Sequence, residues 1–164
     1  AGPASSHSGR DREAGYRRSL VEAGMFVDPA LVLNCAPFRD GGRAAAEVLL
    51  SRCPTLDAIL CYNDLVAVGA LQACADLGRH VPRDVAVVGC DDIMLAALVN
   101  PSLTTLRSEK RKLGATAVHL LLEQLNNCPG DCTDVLLQPE LIVRASAPSG
   151  QTVPAGAGIT GRDD

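Results

Sequence analysis

The sequence predicts an α/β fold organised around a parallel sheet. Three observations carry that expectation. Apolar runs of strand length alternate with amphipathic stretches of helix length, the pattern of βαβ units. The run 85–90 is apolar without interruption, as a strand covered on both faces must be. Polar, cap-forming pairs, Asn63-Asp64 and Asp91-Asp92, stand directly after two of the runs, where strand gives way to helix.

The elements follow in order. Ser8-Gly9-Arg10-Asp11 has capping-box spacing, and Tyr16, Leu20 and Ala23 then fall at i, i+4 and i+7 before Gly24, so a helix is expected over 9–23. Residues 31–36 are expected to form a short apolar strand. The loop Pro37-Phe38-Arg39-Asp40 follows, with Asp40 able to cap a helix that carries Ala44, Ala45, Val48 and Leu49 and closes at Pro54. A second strand is expected over 57–62. Asn63 or Asp64 then caps a helix with Ala67, Ala70, Leu71 and Cys74 on one stripe, stopped by Gly78.

The strand 85–90 leads through Asp91-Asp92 into a short helix over 92–99. Pro101 and the β-branched Thr104-Thr105 indicate an extended segment. A long helix over 108–126 places Leu113, Ala117, Leu120, Leu121 and Leu125 on one side, and 135–137 and 141–143 read as two final strands. From about 147 the chain is Gly, Pro, Ala, Ser and Thr with few large apolar residues, so 148–164 is expected to be a disordered tail that cannot offset its ordering entropy. No internal repeat of fixed period is present.

Composition limits the function classes. The chain has 164 residues, enough for one ordinary core. Only 2% are aromatic, so Leu, Val and Ala must supply the packing and an aromatic in a loop stands out. The formal net charge of −4 has the wrong sign for a module that must neutralise phosphates, so this chain by itself is not expected to hold nucleic acid. Seven cysteines, several inside apolar segments, suggest reduced thiols and a cytoplasmic location. Cys128 and Cys132 bracket Pro-Gly-Asp at a spacing that suits neither a redox pair nor a zinc ligand pair. No run of about 18 apolar residues is present to span a membrane.

In open parallel sheets, ligands bind beyond the carboxyl ends of the strands. The polar candidates gather there: Arg10 and Arg12 at the start of the first helix, Phe38 after one run, Asn63 and Asp64 after the next, Asp91 and Asp92 after a third. A guanidinium, an amide, carboxylates and one aromatic suit a neutral polyhydroxylated ligand, whose hydroxyls both donate and accept and whose C–H face can stack. Each residue also has a plainer reading. One of Asn63 and Asp64 must cap the helix, leaving the other for a ligand; Asp91 and Asp92 can be turn formers; Arg10 and Arg12 can be solvated helix charges; Phe38 can be an isolated loop hydrophobe. Catalysis is not expected, because His7, His80 and His119 are scattered and no nucleophile elbow, P-loop or zinc motif occurs. No metal or other cofactor is expected.

Five segments then carry a resemblance: SGRDREAGYRRSLVEAG, TLDAILCYNDLVAVGALQACADLG, VPRDVAVVGCDDI, NPSLTTLRSEKRKLGATAVHLLLEQL and VLLQPELIVRASA, spanning about 8–147. In order and spacing they resemble the effector-binding region of the LacI/GalR transcriptional regulators. The resemblance implies one three-layer lobe of the two-lobed type I periplasmic-binding-protein-like fold, within an effector-binding portion over 1–147. It also implies that 104–135 packs on a first lobe, and that this lobe and a helix-turn-helix headpiece lie outside the chain.

By the same resemblance Arg12, Asn63, Asp91 and Phe38 contact a small effector, such as a sugar or nucleobase. Val66, Val68, Leu71, Leu95 and Val99 contribute to a homodimer, and DNA is bound only through the headpiece. Gly89 keeps the family's glycine before the Asp-Asp pair, whereas Cys90 replaces an aromatic. A sugar-binding protein of a transport system shares the fold and is the alternative, together with a fragment that binds no ligand.

Overall fold

The computed structural model describes residues 1–126 and 134–148. The described elements are α1 (His7–Glu22), α2 (Arg39–Arg52), β1 (Ala58–Leu60), α3 (Asp64–Asp76), β2 (Ala86–Cys90), α4 (Met94–Leu98), β3 (Thr104–Arg107), α5 (Lys110–Asn126) and β4 (Glu140–Ile142). A single 3-10 turn, Pro29–Leu31, precedes α2. The strands form one sheet in the order β1-β2-β3-β4. The first two pairings are parallel, with Ile59 opposite Val87 and Gly89 opposite Thr105. The third is antiparallel, with Leu106 opposite Leu141.

The core lies between the sheet and the α2–α3 pair. Ile59, Val85, Val87 and Leu103 meet Ala46, Leu50, Val66, Ala67, Ala70, Leu71 and Cys74 there. Two glycines let the helices approach: a Cβ at Gly42 would strike the Val66 carbonyl, and one at Gly69 the Arg39 carbonyl. The opposite face of the sheet is less covered, with Ala58 and Leu60 exposed and Ala86 and Val88 half-buried. The apolar run 85–90 is therefore fully buried on one face only.

Several expectations need correction. Ser6, not Ser8, caps α1, since its hydroxyl accepts from the Gly9 amide at 3.2 Å. Residues 32–36 form no strand. Pro29 favours a turn, which Asp28 caps, and the polar groups beyond it meet residues 1 and 2: the Ala1 amine donates to the Leu33 carbonyl and Asn34 to the Gly2 carbonyl, both at 2.8 Å. Phe38 occupies the N-cap of α2 without a side-chain cap, so Asp40 acts from the first turn, where its charge suits the helix dipole. Residues 135–137 form no strand. Residues 104–107 are a strand of this sheet, so any segment leaving it begins after Arg107. The Cys128–Cys132 pair and most of the expected tail lie outside the described residues.

Helix α5 carries an apolar face that the rest of the described chain does not cover. Leu113, Val118, Leu121, Leu122 and Leu125 are each more than half exposed.

Candidate functional site

Three side chains meet at the carboxyl edge of the sheet. Tyr62 follows β1, Asp91 follows β2, and Arg12 projects from the first turns of α1. The Arg12 guanidinium lies 4.8 Å from the Tyr62 ring centroid and donates through Nη1 to the Tyr62 carbonyl. Its Nη2 stands 3.6 Å from Asp91 Oδ1. The Tyr62 hydroxyl is in hydrogen-bonding range of Ser6 Oγ at 3.3 Å and Ser8 Oγ at 3.1 Å, and these contacts hold the phenol below the usual tyrosine pKa. On its other side, a Cβ at Gly2 would stand 2.5 Å from the ring. The start of the chain thus seats Tyr62, and Tyr62 seats Arg12.

The turn bearing Asp91 is strained. Asp91 has φ 118° and Asp92 φ 46°, left-handed conformations that cost about 1–3 kcal/mol each for residues other than glycine. Fixed hydrogen bonds keep them there. The Asp91 amide donates to the Leu106 carbonyl, and Lys110 Nζ donates to the Asp91 carbonyl, both at 2.8 Å. Asp92 Oδ2 accepts from Arg107 Nε and Oδ1 from Arg144 Nη2, each at 2.7 Å. Desolvation pushes the Asp92 pKa up, but the Arg107 and Arg144 bonds outweigh it, so the carboxyl stays below the ordinary aspartate range.

The Asn63-Asp64 pair divides differently from expectation. Asn63 caps α3, accepting from the Val66 amide at 2.9 Å, while its Nδ2 donates to the Pro37 carbonyl at 3.1 Å. Asp64 is not left for a ligand. It is fully buried and accepts from the Thr105 hydroxyl and from the Ile93 amide. Asn63 retains one N–H and one oxygen lone pair beyond these bonds. Through Pro37 it also fixes the neighbouring Phe38, whose side chain is 63% exposed.

The structure therefore brings Arg12 and Asp91 together, ties Asn63 to the Phe38 loop, and withdraws Asp64 and Asp92 from the surface. Arg10 turns away. Its Nη1 reaches the Ala4 and Ser5 carbonyls at 3.4 Å, and it lines a separate groove of about 390 Å³ with Pro3, Glu13, Arg17 and Asn34. Sequence reasoning does not reach Tyr62. The available signal was its rarity, one of two tyrosines in a chain without tryptophan, together with its place after a strand.

Two of the residues expected at an outer interface are in the core. Val66 and Leu71 are 5% and 8% exposed, because the inner stripe of α3 runs through 66, 67, 70, 71 and 74. Val68 and Val99 are half-buried and Leu95 is exposed, beside exposed Leu65 and Leu98.

The chemistry offered is recognition by hydrogen bonding and stacking. A guanidinium and a partly exposed carboxylate share one rim, and the exposed Phe38 ring stands on the loop that Asn63 holds through Pro37. Burial raises the pKa of Cys35, Cys74 and Cys90 and pushes Cys61 up to about 12, so these thiols are poor nucleophiles. Among the described residues no group of three His, Cys, Asp or Glu is placed to hold a metal ion, and no helix is long and apolar enough to cross a membrane.

Comparison with known proteins identifies the domain. Residues 1–147 match the periplasmic binding protein-like domain. The HTH-type transcriptional regulator reg1 of Streptomyces lividans is 41% identical over 133 residues, which cover 81% of this chain and 36% of that protein. CelR of Thermobifida fusca is 36% identical over 146 residues, covering 89% and 43%. A CelR–cellobiose complex superposes with a TM-score of 0.84 at 35% identity, over 90% of this chain and 45% of that one. The Escherichia coli repressor ascG gives 0.82 at 28% identity, over 90% and 54%. The chain spans less than half the length of reg1 and of CelR.

Proposed function

This chain belongs to the periplasmic binding protein-like domain family, in the form carried by LacI-type transcriptional regulators, and on that premise we propose that it senses a small neutral polyhydroxylated effector, a sugar. The observation that carries the reading is the Arg12–Tyr62–Asp91 assembly at the carboxyl edge of the sheet. Arg12 donates to ligand oxygens, Asp91 accepts from ligand hydroxyls, and Asn63 adds its remaining amide hydrogen. Phe38 offers an exposed ring for the C–H face of a pyranose. The relative solved with cellobiose makes a neutral disaccharide the first candidate.

In this reading the effector lies between this lobe and a first lobe, onto which α5 folds its exposed leucines. Effector binding controls DNA binding by a cytoplasmic homodimer, joined partly through Val68 of α3 and Leu95 of α4, with Val99, just beyond α4, packed beneath them on the core. DNA is held by a separate headpiece, in keeping with the net charge of −4 here. No catalytic step and no cofactor are part of the proposal.

The test is a melting-temperature screen of the regulator that contains this chain, against neutral mono- and disaccharides, cellobiose included, and purine bases. A sugar that raises the midpoint with concentration is the expected result. A response to purines alone rejects the sugar, and a response to none rejects the sensor.

A further inference from the structure

Asp91 and Asp92 are identical in type and adjacent in sequence, yet the structure gives them opposite surroundings. The Asp91 side chain is 36% exposed and faces Arg12. That of Asp92 is 10% exposed, with both oxygens taken by guanidinium groups at 2.7 Å. Those two cations come from different parts of the chain. Arg107 is the last residue of β3, while Arg144 lies two residues beyond β4 and also donates to the Leu103 carbonyl at 2.8 Å. One largely covered carboxylate therefore joins the turn after β2 to the end of β3 and to the segment that follows β4.

We infer that Asp92 is a positioning residue: through Arg107 and Arg144 it latches the left-handed turn so that the Asp91 carboxylate stands beside Arg12. The turn has reason to move without the latch, since two successive residues other than glycine hold positive φ. Its remaining ties, the Asp91 amide to Leu106, Lys110 to the Asp91 carbonyl and the Ile93 amide to Asp64, fix backbone atoms on either side of Asp92. Among the described residues, only the Asp92 side chain reaches both Arg107 and Arg144. The same link gives a route by which a ligand at Asp91 pulls on the ends of β3 and β4. The inference deepens the effector-site reading and rests on it for its biological meaning, but its test needs no ligand.

The chain has two tyrosines and no tryptophan, so tyrosine labelled at ring carbon Cζ gives two carbon-13 NMR signals. Tyr16→Phe assigns the Tyr62 signal, which reports the stacked Arg12. Asp91→Asn should displace that signal. Asp92→Asn should displace it in the same direction by a comparable amount, leave Tyr16 in place, and add nothing when combined with Asp91→Asn. A Tyr62 signal at its wild-type position in Asp92→Asn, shifts that sum in the double variant, or no response to Asp91→Asn would each overturn the latch. Should Asp92→Asn fail to fold, Arg107→Gln, at a side chain 42% exposed, removes half the latch. A partial shift supports the inference, and an unmoved signal overturns it. If the shifts appear and no sugar binds, the latch stands and the sugar reading falls.

Discussion

Gly89 and Asp64 occupy one space: a Cβ on Gly89 would strike Oδ1 of Asp64 and stand 2.9 Å from Cδ2 of Leu103. The glycine leaves a notch beside the central strand, and the carboxylate fills it, fully buried between the Thr105 hydroxyl and the Ile93 amide. Backbone freedom is not what the position requires, since Gly89 sits in an ordinary strand. Space is.

Gly89→Ala should therefore displace a buried, hydrogen-bonded carboxylate and overpack the core around Leu103. Such a change costs about 2–4 kcal/mol. Urea unfolding followed by far-UV circular dichroism measures it. A midpoint equal to wild type would mean that Asp64 has another place to go.

Tyr62 is argued to work through its ring. Tyr62→Leu removes the surface under Arg12 and should weaken effector binding by about two- to fivefold, the worth of a cation–π contact of about 0.5–1 kcal/mol at a partly exposed site. Tyr62→Phe keeps the ring and loses only the contacts to Ser6 and Ser8, so its affinity should stay near wild type. The reverse order of the two variants in calorimetry would transfer the role to the hydroxyl.

Asp92 makes stability depend on pH in a defined direction. Its folded pKa lies below the unfolded value of about 3.9, so its ion pairs contribute fully above that value and are lost as pH falls through the lower folded one. The stability difference between wild type and Asp92→Asn should be constant from about pH 8 to pH 5 and shrink below about pH 4. A difference that grew on acidification would contradict the assignment of charge.

Leu113, Leu121, Leu122 and Leu125 on α5 are more than half exposed, and full burial of each is worth about 1.5–3 kcal/mol. In a monomer of this chain alone, α5 amides should exchange fast while α3 amides stay protected. Strong protection of Lys110–Asn126 in a demonstrated monomer would mean that the helix is covered from within.

Much of this was legible in the sequence, for local reasons. A cap from the Asn63-Asp64 pair, Gly78 as a stop and the apolar run before Asp91 each act within a few residues. They fixed α3, β2 and hence the edge on which Arg12 and Asp91 meet. What could not be read depends on distant partners. Which of Asn63 and Asp64 is buried follows from the notch at Gly89, 25 residues on from Asp64. The division between Asp91 and Asp92 is made by Arg107 and Arg144. Val66 and Leu71 turned inward because their helix presents two adjacent residues per turn to the core, and periodicity alone does not say which side faces the sheet. The run 31–36 has strand composition without a strand, since Pro29 sets a turn and residues 1 and 2 take up the neighbouring polar groups.

The most direct test of the account is calorimetric titration of the regulator containing this chain with the sugar that stabilises it, in wild-type form and as Arg12→Ala. Loss of charge-assisted hydrogen bonds worth about 1.5–3 kcal/mol should weaken binding roughly ten- to more than a hundredfold. An Arg12→Ala protein that binds the sugar with unchanged affinity would contradict the account, because the guanidinium over Tyr62 would then touch no ligand.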